Sequence, residues 1–366
     1  MQSRGKALSD MAADITERLR KLRPCCILPP TKIRLPGGIG MEKLKLNFVC
    51  SPYDRMEPIR RKQVQPEGID LEMADHLGPR EIFDRLMRSN DFDLGEMSSS
   101  EHIANTCAGT NPFVAIPVFP SKVFRHGFIV YNRKSGIREP KDLAGRRIGV
   151  PLHTMTAAIW CRGVLVDDFG VDLSGVTWVQ GSVNEPGAHG NPAPPPLLKP
   201  VDIVQNTSGK SLNELLVEGE IDAILGAVLP DSLGANPDIV RLWPNYRDVE
   251  KDFYMRTKIH PIMHLVAIRK EVYNANPWIA KSLYKAFEDA KAMAWQNLRY
   301  NGAQKVMLPW LYPDIDEVDE LFPGGDPWPY GIEANRNTLE TQLRIMHRDH
   351  MIDRIPSLDE LFVDVE

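Results

Sequence analysis

No stretch of this 366-residue chain approaches the roughly 18 consecutive apolar residues that a membrane-spanning helix needs, so no membrane partner is expected. No block of basic residues is present, and the formal net charge is −5. That argues against nucleic acid as a partner, and an anionic ligand would have to be held by local cations. Cysteine is scarce and odd in number: Cys25, Cys26, Cys50, Cys107 and Cys161, with no C-x-x-C pair. A disulfide framework and a structural zinc site are thereby disfavoured. Cys50 and Cys161 sit in apolar runs and read as buried thiols. The glycine-rich fingerprints of nucleotide sites are missing, no lysine stands in a Schiff-base context, and G-x-S-x-G of serine hydrolases is absent. His260 and His264 have the i, i+4 spacing of a zinc helix, but Pro261 interrupts it and no H-E-x-x-H occurs. No metal site is therefore expected.

The first forty residues lack the apolar core of a signal peptide. Their only apolar piece, residues 25–28, is short and is cut off by Pro29 and Pro30. Residues 1–40 are expected to be a poorly ordered N-terminal extension, with Met41 an alternative start, and the chain is expected to be cytoplasmic.

What is present is a long alternation of strand and helix patterns. The chain is too long for one ordinary core, and two domains are expected. Residues 43–50 (KLKLNFVC), 68–73 (GIDLEM) and 92–97 read as strands. A helix opened by Pro79, with Ile82, Phe83, Leu86 and Met87 on one face, and a second one after Ser98–Ser99–Ser100 separate them or follow them. The order implies a parallel sheet. A second such series runs from residue 128 to about 251. It contains residues 186–200, whose six prolines exclude helix and central strand; they read as an exposed insertion or lid. Residues 264–269 (HLVAIR) are expected to return the chain to the first lobe. The expected fold is α/β and two-lobed, each lobe a mainly parallel sheet flanked by helices. Residues 41–127 plus 252–366 would form lobe one with a C-terminal helical extension, and 128–251 lobe two.

Residues 127–150 (GFIVYNRKSGIREPKDLAGRRIGV) and 213–223 (NELLVEGEIDA) resemble the hinge and second-lobe segments of type II periplasmic binding proteins. More narrowly, residues 92–104 (FDLGEMSSSEHIA), 325–340 (GDPWPYGIEANRNTLE) and 354–362 (RIPSLDELF) resemble the 4,5-dihydroxyphthalate decarboxylase family. The resemblance runs over nearly all of residues 41–362. It implies a carboxy-lyase that releases CO2 from a dihydroxylated phthalate to give protocatechuate.

Ligands of open parallel α/β sheets bind beyond the carboxyl ends of the strands. Facing lobes would make a cleft from the loops at residues 51–55, 98–101, 125–127 and 153–156. On such a ring one hydroxyl lies para to the departing carboxylate. Ionising it pushes electron density onto the carbon to be protonated, so the site needs an acceptor for the phenol, an acid for that carbon and cations for the carboxylate that stays. Arg125 is the carboxylate clamp by type, since a guanidinium offers two parallel bonds; its alternative is a surface or inter-lobe salt bridge. His126 and His264 are the acid/base candidates, with His153 in reserve. Tyr53, Arg55, Ser98, Ser99, Ser100 and Thr154 are candidate substrate contacts, with Thr156 beside them. For the hydroxyls at helix starts the alternative is plain N-capping. The expected partner is a small aromatic carboxylate, and a homo-oligomer is compatible with the sequence. No cofactor is called for: a divalent metal bridging catechol oxygens is chemically reasonable, but no ligand cluster demands one. The rival readings are a non-catalytic binding protein for an aromatic acid or other anion, and a different lyase on the same fold. A transport receptor would carry an export signal.

Overall fold

In lobe one the apolar run at residue 44 forms β1 (Leu44–Val49), whose Phe48 and Val49 are fully buried. The chain turns through the short helix α1 (Glu57–Arg60) into β2 (Ile69–Met73). Helix α2 (Pro79–Arg88) begins at a proline, where a missing N–H costs nothing, and buries Ile82, Phe83 and Leu86. β3 (Leu94–Ser98), α3 (Ser99–Cys107) and β4 (Phe113–Lys122) complete the first pass. The chain crosses into a second sheet with β5 (Ile129–Asn132), β6 (Arg147–Val150), α4 (Thr156–Asp167), β7 (Thr177–Gln180), β8 (Ile203–Gln205), α5 (Leu212–Glu218), β9 (Ala223–Leu225) and β10 (Ile239–Arg241). Helix α5 shows why the local sequence suffices. Ser211 and Glu214 close a capping box at its start, and Gly219 takes the left-handed conformation at its end. Helix α6 (Tyr246–Thr257) leads back, and β11 (Ile262–Arg269) rejoins the first sheet. The remainder is helical: α7 (Lys270–Ala275), α8 (Ile279–Arg299), α9 (Leu311–Leu321), α10 (Arg336–Arg348) and α11 (Leu358–Leu361).

This computed structural model describes residues 42–74, 77–192 and 194–365; the extension expected over residues 1–40 lies outside them. The first sheet has the order β2-β1-β3-β11-β4 and the second β10-β5-β9-β6-β7-β8. Both are mixed. β11 enters antiparallel between β3 and β4, and β5 runs antiparallel to β9 and β10. The second sheet keeps the expected parallel set over β9-β6-β7-β8, while in the first the parallel β2-β1-β3 set is joined by antiparallel β11. Strands that cross between the lobes arrive from the opposite end, so the parallel rule for βαβ units does not govern them.

The two crossings lie side by side, the Val123 N–H donating to the Pro261 carbonyl at 2.9 Å. The C-terminal extension packs on both lobes. The Trp328 indole donates to the Phe119 carbonyl of β4 at 2.8 Å. On the other side α10 presses Ile345 onto Gly163 of α4, where a Cβ would collide with the Ile345 side chain. No helix among the described residues is long and apolar enough to cross a membrane. Residues 186–192 and 194–200 form neither helix nor strand.

Candidate active site

β3 and β11 are paired so that His264 lies directly opposite Ser98. Side chains alternate along a strand, so Glu96, two residues before Ser98, shares its face and is the diagonal neighbour of His264. The pairing of β11 with β4 shifts register on either side of His264, an irregularity that re-aims the side chain. The result is a bonded cluster. His264 Nδ1 lies 2.5 Å from Glu96 Oε1, and the Tyr53 hydroxyl donates to the same oxygen at 2.6 Å. The second carboxylate oxygen accepts the Ser51 N–H at 2.9 Å. Because Nδ1 is engaged, Nε2 is the nitrogen left for the cleft.

Glu96 is fully buried. Burial alone would raise its pKa; the charge of the His264 ring and the bonds from His264, Tyr53 and Ser51 outweigh it and hold the carboxyl at about 2. It is thus an anion throughout the neutral range. Burial, and after it the Glu96 charge, pushes the Tyr53 phenol well above its ordinary value, so Tyr53 stays a neutral donor.

These groups open into a cleft of about 430 Å³ between the lobes. Lobe one contributes Tyr53, Phe83, Ser98, Ser121, Met263 and His264; lobe two contributes Met155, Thr156, Ala157, His189, Ala227 and Val228. Phe83 meets the His264 ring edge to face at 4.9 Å. Arg80, Glu81, Glu101 and Arg125 line it as well, so apolar wall from Phe83, Met155, Met263, Ala157, Ala227 and Val228 alternates with polar and charged groups.

Arg125 lies at the crossing, lines this cleft and is 6% exposed. Its Nε donates to the Met263 sulfur at 3.2 Å, and its guanidinium lies 4.6 Å from the centre of the Phe128 ring. Among the described residues no carboxylate pairs with it. Burial lowers its pKa to about 10, so it remains a cation at neutral pH. The charge of Glu250 acts on it from beyond ion-pair distance, and a buried cation with no direct carboxylate partner among the described residues is ready for an anionic ligand.

The serine group divides. Ser98 caps α3 and reaches the cleft, while its Oγ lies 3.1 Å from Thr156 Oγ1. Ser99 accepts a bond from Gln342 at 2.6 Å, and the Ser100 hydroxyl donates to the Thr154 carbonyl at 2.9 Å. The latter two fasten the lobes and the extension together and do not line the cleft. The Thr154 hydroxyl is buried, has no bonding partner among the described residues and does not line the cleft either. Arg55 is occupied elsewhere: its guanidinium stacks on Tyr53 at 4.4 Å and on Trp328 at 4.1 Å, and donates to the Pro120 carbonyl. It supports Tyr53 from behind.

Two of the three histidines expected to act as acid or base are not in the cleft. His126 is fully buried, edge to face with Trp243 at 5.5 Å and Phe253 at 5.1 Å. Burial depresses its pKa to about 4. His153 packs on Trp178 at 5.2 Å, and burial with the nearby Arg162 charge lowers its pKa to about 2. Position beside a crossing or loop does not decide where a ring points; apolar packing claimed both.

Glu96, Ser121, Met263, Arg80 and His189 are not singled out by residue type and spacing alone. A signal for Glu96 exists in the sequence: a carboxylate in the middle of the buried run at residues 92–97 must be paired. Arg80 lines the cleft too, held by Glu101 at 2.6 Å and Asp84 at 2.7 Å. Among the described residues no three His, Cys, Asp or Glu side chains gather as a metal-ligand set.

The family model described as NMT1/THI5 like matches residues 65–187. The chain is 36% identical over 313 residues to a 4,5-dihydroxyphthalate decarboxylase of Comamonas testosteroni, spanning 85% of this chain and 92% of that protein. It is also 36% identical over 221 residues to a protein of the same name from Pseudomonas putida, spanning 59% of this chain and 83% of that one. Among solved structures, the periplasmic aliphatic sulphonate binding protein of Escherichia coli aligns with a TM-score of 0.49 at 11% identity, over 89% of this chain and 93% of its own. A Candida albicans gene product with the generic periplasmic binding protein fold aligns with a TM-score of 0.41 at 14% identity, over 87% and 93%.

Proposed function

The chain belongs to the 4,5-dihydroxyphthalate decarboxylase family, and we propose that its inter-lobe cleft converts 4,5-dihydroxyphthalate to protocatechuate and CO2 by protonating the ring carbon that bears the departing carboxylate. The observation that carries this reading is one cavity lined by both His264, backed by buried Glu96, and a buried Arg125. The first pair can deliver a proton; the second can hold the carboxylate that stays.

Arg125 grips one carboxylate, and the N-terminus of α4 adds positive potential. A ring hydroxyl donates to Tyr53, whose own hydrogen is committed to Glu96. The hydroxyl keeps its proton and lends lone-pair density to the ring as the protonated His264 transfers its Nε2 proton to the carbon para to it; the density returns to the oxygen when CO2 leaves. The carbon–carbon bond then breaks, its electron pair restores the aromatic ring, and CO2 leaves. His264 recovers a proton from solvent. Glu96 stays anionic throughout, orients the imidazole and offsets its charge.

Purified protein incubated with 4,5-dihydroxyphthalate should release CO2 and protocatechuate. In D2O the product should carry deuterium at the carbon that lost the carboxylate. Thermal stabilisation by the dicarboxylate without CO2 release would make the protein a receptor and sink the lyase.

A further inference from the structure

The proline-rich insertion belongs to lobe two by sequence, lying between β7 and β8, yet its first half is fastened to lobe one. The Asn191 N–H donates to the Asp84 carboxylate of α2 at 3.0 Å, and the Arg88 guanidinium donates to the Asn191 carbonyl. Asp84 in turn holds Arg80, whose other arm is held by Glu101. Gly190 lies against Arg80 with φ +67°, and a Cβ there would come within 2.5 Å of the Arg80 Cγ. Only glycine meets both conditions. The neighbour before it, His189, lines the cleft beside Arg80. Beyond it Pro192 and Pro194–Pro196 stiffen the length of chain that returns to lobe two. That return is tied down again where the Leu198 N–H donates to the His350 carbonyl at 2.8 Å. Opening the lobes on this side requires the α2 contacts to break.

We propose that residues 186–191 are a latch that lobe two fastens on α2 of lobe one, and that His189, which it carries, is a substrate-contacting residue at the mouth of the cleft. The latch rests on the reading of the cleft as the ligand site but not on the chemistry done there. The His189 imidazole and the Arg80 guanidinium line the same cleft as Arg125, so the latch offers its donor to the second carboxylate of a phthalate ring. The stiff prolines lower the entropy lost each time the latch closes. Residence of the ligand is then set by the α2 contacts, outside the cavity itself.

The test uses the full chain and phthalate, which lacks the hydroxyls needed for turnover. Arg88 is exposed and lines no part of the cleft, so Arg88→Ala probes the latch without touching the site. A lost bond to a charged donor should speed phthalate dissociation, followed by tryptophan fluorescence, roughly tenfold. Arg88→Lys should restore most of the loss. Gly190→Val should speed dissociation further and enlarge the radius of gyration of the ligand-free protein in solution. His189→Ala should weaken phthalate binding with the radius unchanged. Unaltered dissociation and radius in both Arg88→Ala and Gly190→Val overturn the latch, and unaltered binding in His189→Ala removes the contact. If the variants speed phthalate release while the wild type yields no CO2 from 4,5-dihydroxyphthalate, the decarboxylase falls and the latch stands. If the wild type yields CO2 while the variants release phthalate at the wild-type rate, the decarboxylase stands and the latch falls.

Discussion

A single carboxylate, Glu96, changes what His264 can do. It is buried, anionic and bonded to the imidazole, to Tyr53 and to a backbone N–H. Glu96 touches no substrate in the proposed reaction and acts by positioning. Glu96→Gln should lower kcat on the order of a hundredfold, leave KM nearly unchanged and move the pH profile of kcat; an unmoved profile would leave Glu96 a purely structural group. Arg125→Ala should weaken binding of phthalate far more than of benzoate, measured by calorimetry, and equal losses would count against a carboxylate clamp. His264→Ala should remove turnover, while His126→Phe should leave it, because His126 is enclosed by Trp243 and Phe253. Residue types carried the candidates as far as Arg125, Tyr53, Ser98 and His264. They could not separate those from His126, His153 or Arg55, whose surroundings come from elements distant in the chain.

Elements meet at the cleft through their starts. The N-termini of α3 and α4 come from different lobes and are joined by hydroxyls. The Ser100 N–H donates to Thr156 Oγ1 at 3.1 Å, and Ser98 and Ser100 hydroxyls surround the same oxygen. The capping pattern at Ser98 was legible because it is local. The pairing with Thr156 was not, since it joins residues far apart in sequence. Thr156→Val keeps the shape and removes the acceptor. The buried N–H left behind should cost about 1–3 kcal/mol in denaturant unfolding, and a loss within error would mean the lobes re-pair by another route. The alternation of strands and helices was equally legible, but the antiparallel entry of β11 was not: direction across a crossing is set by where the other lobe ends.

Over the whole molecule, buried neutral histidines make acid stability weak. Burial depresses the pKa of His102 and His126 to about 4, of His260 to about 3 and of His153 to about 2, from an ordinary 6.5. A depressed value means the unfolded chain takes up protons first as pH falls. The stability these rings contribute is complete above about 6.5, where both states are neutral. It is lost progressively as pH falls from there down through their folded values. Glu96 adds a loss at lower pH, as its carboxyl is titrated between the ordinary 4.5 and about 2. The thermal unfolding midpoint should therefore drop between pH 7 and pH 4, before most carboxylates titrate. His126→Phe should flatten that slope, since a phenyl ring fills the same aromatic cage without binding a proton; an unchanged slope would place the titrating groups elsewhere.

Local pattern alone determined the two-lobed α/β order, the capped helix starts, the proline insertion and the residues that resemble an aromatic-acid decarboxylase family. Those features depend on neighbours within a few residues, and such neighbours are written in the chain. Tertiary structure alone decided that Glu96 stands behind His264, that Arg125 lines the cleft, and that residues 189–191 reach across to α2. Each depends on strand register or on contact between lobes, where a shift of one residue sends a side chain to the opposite face.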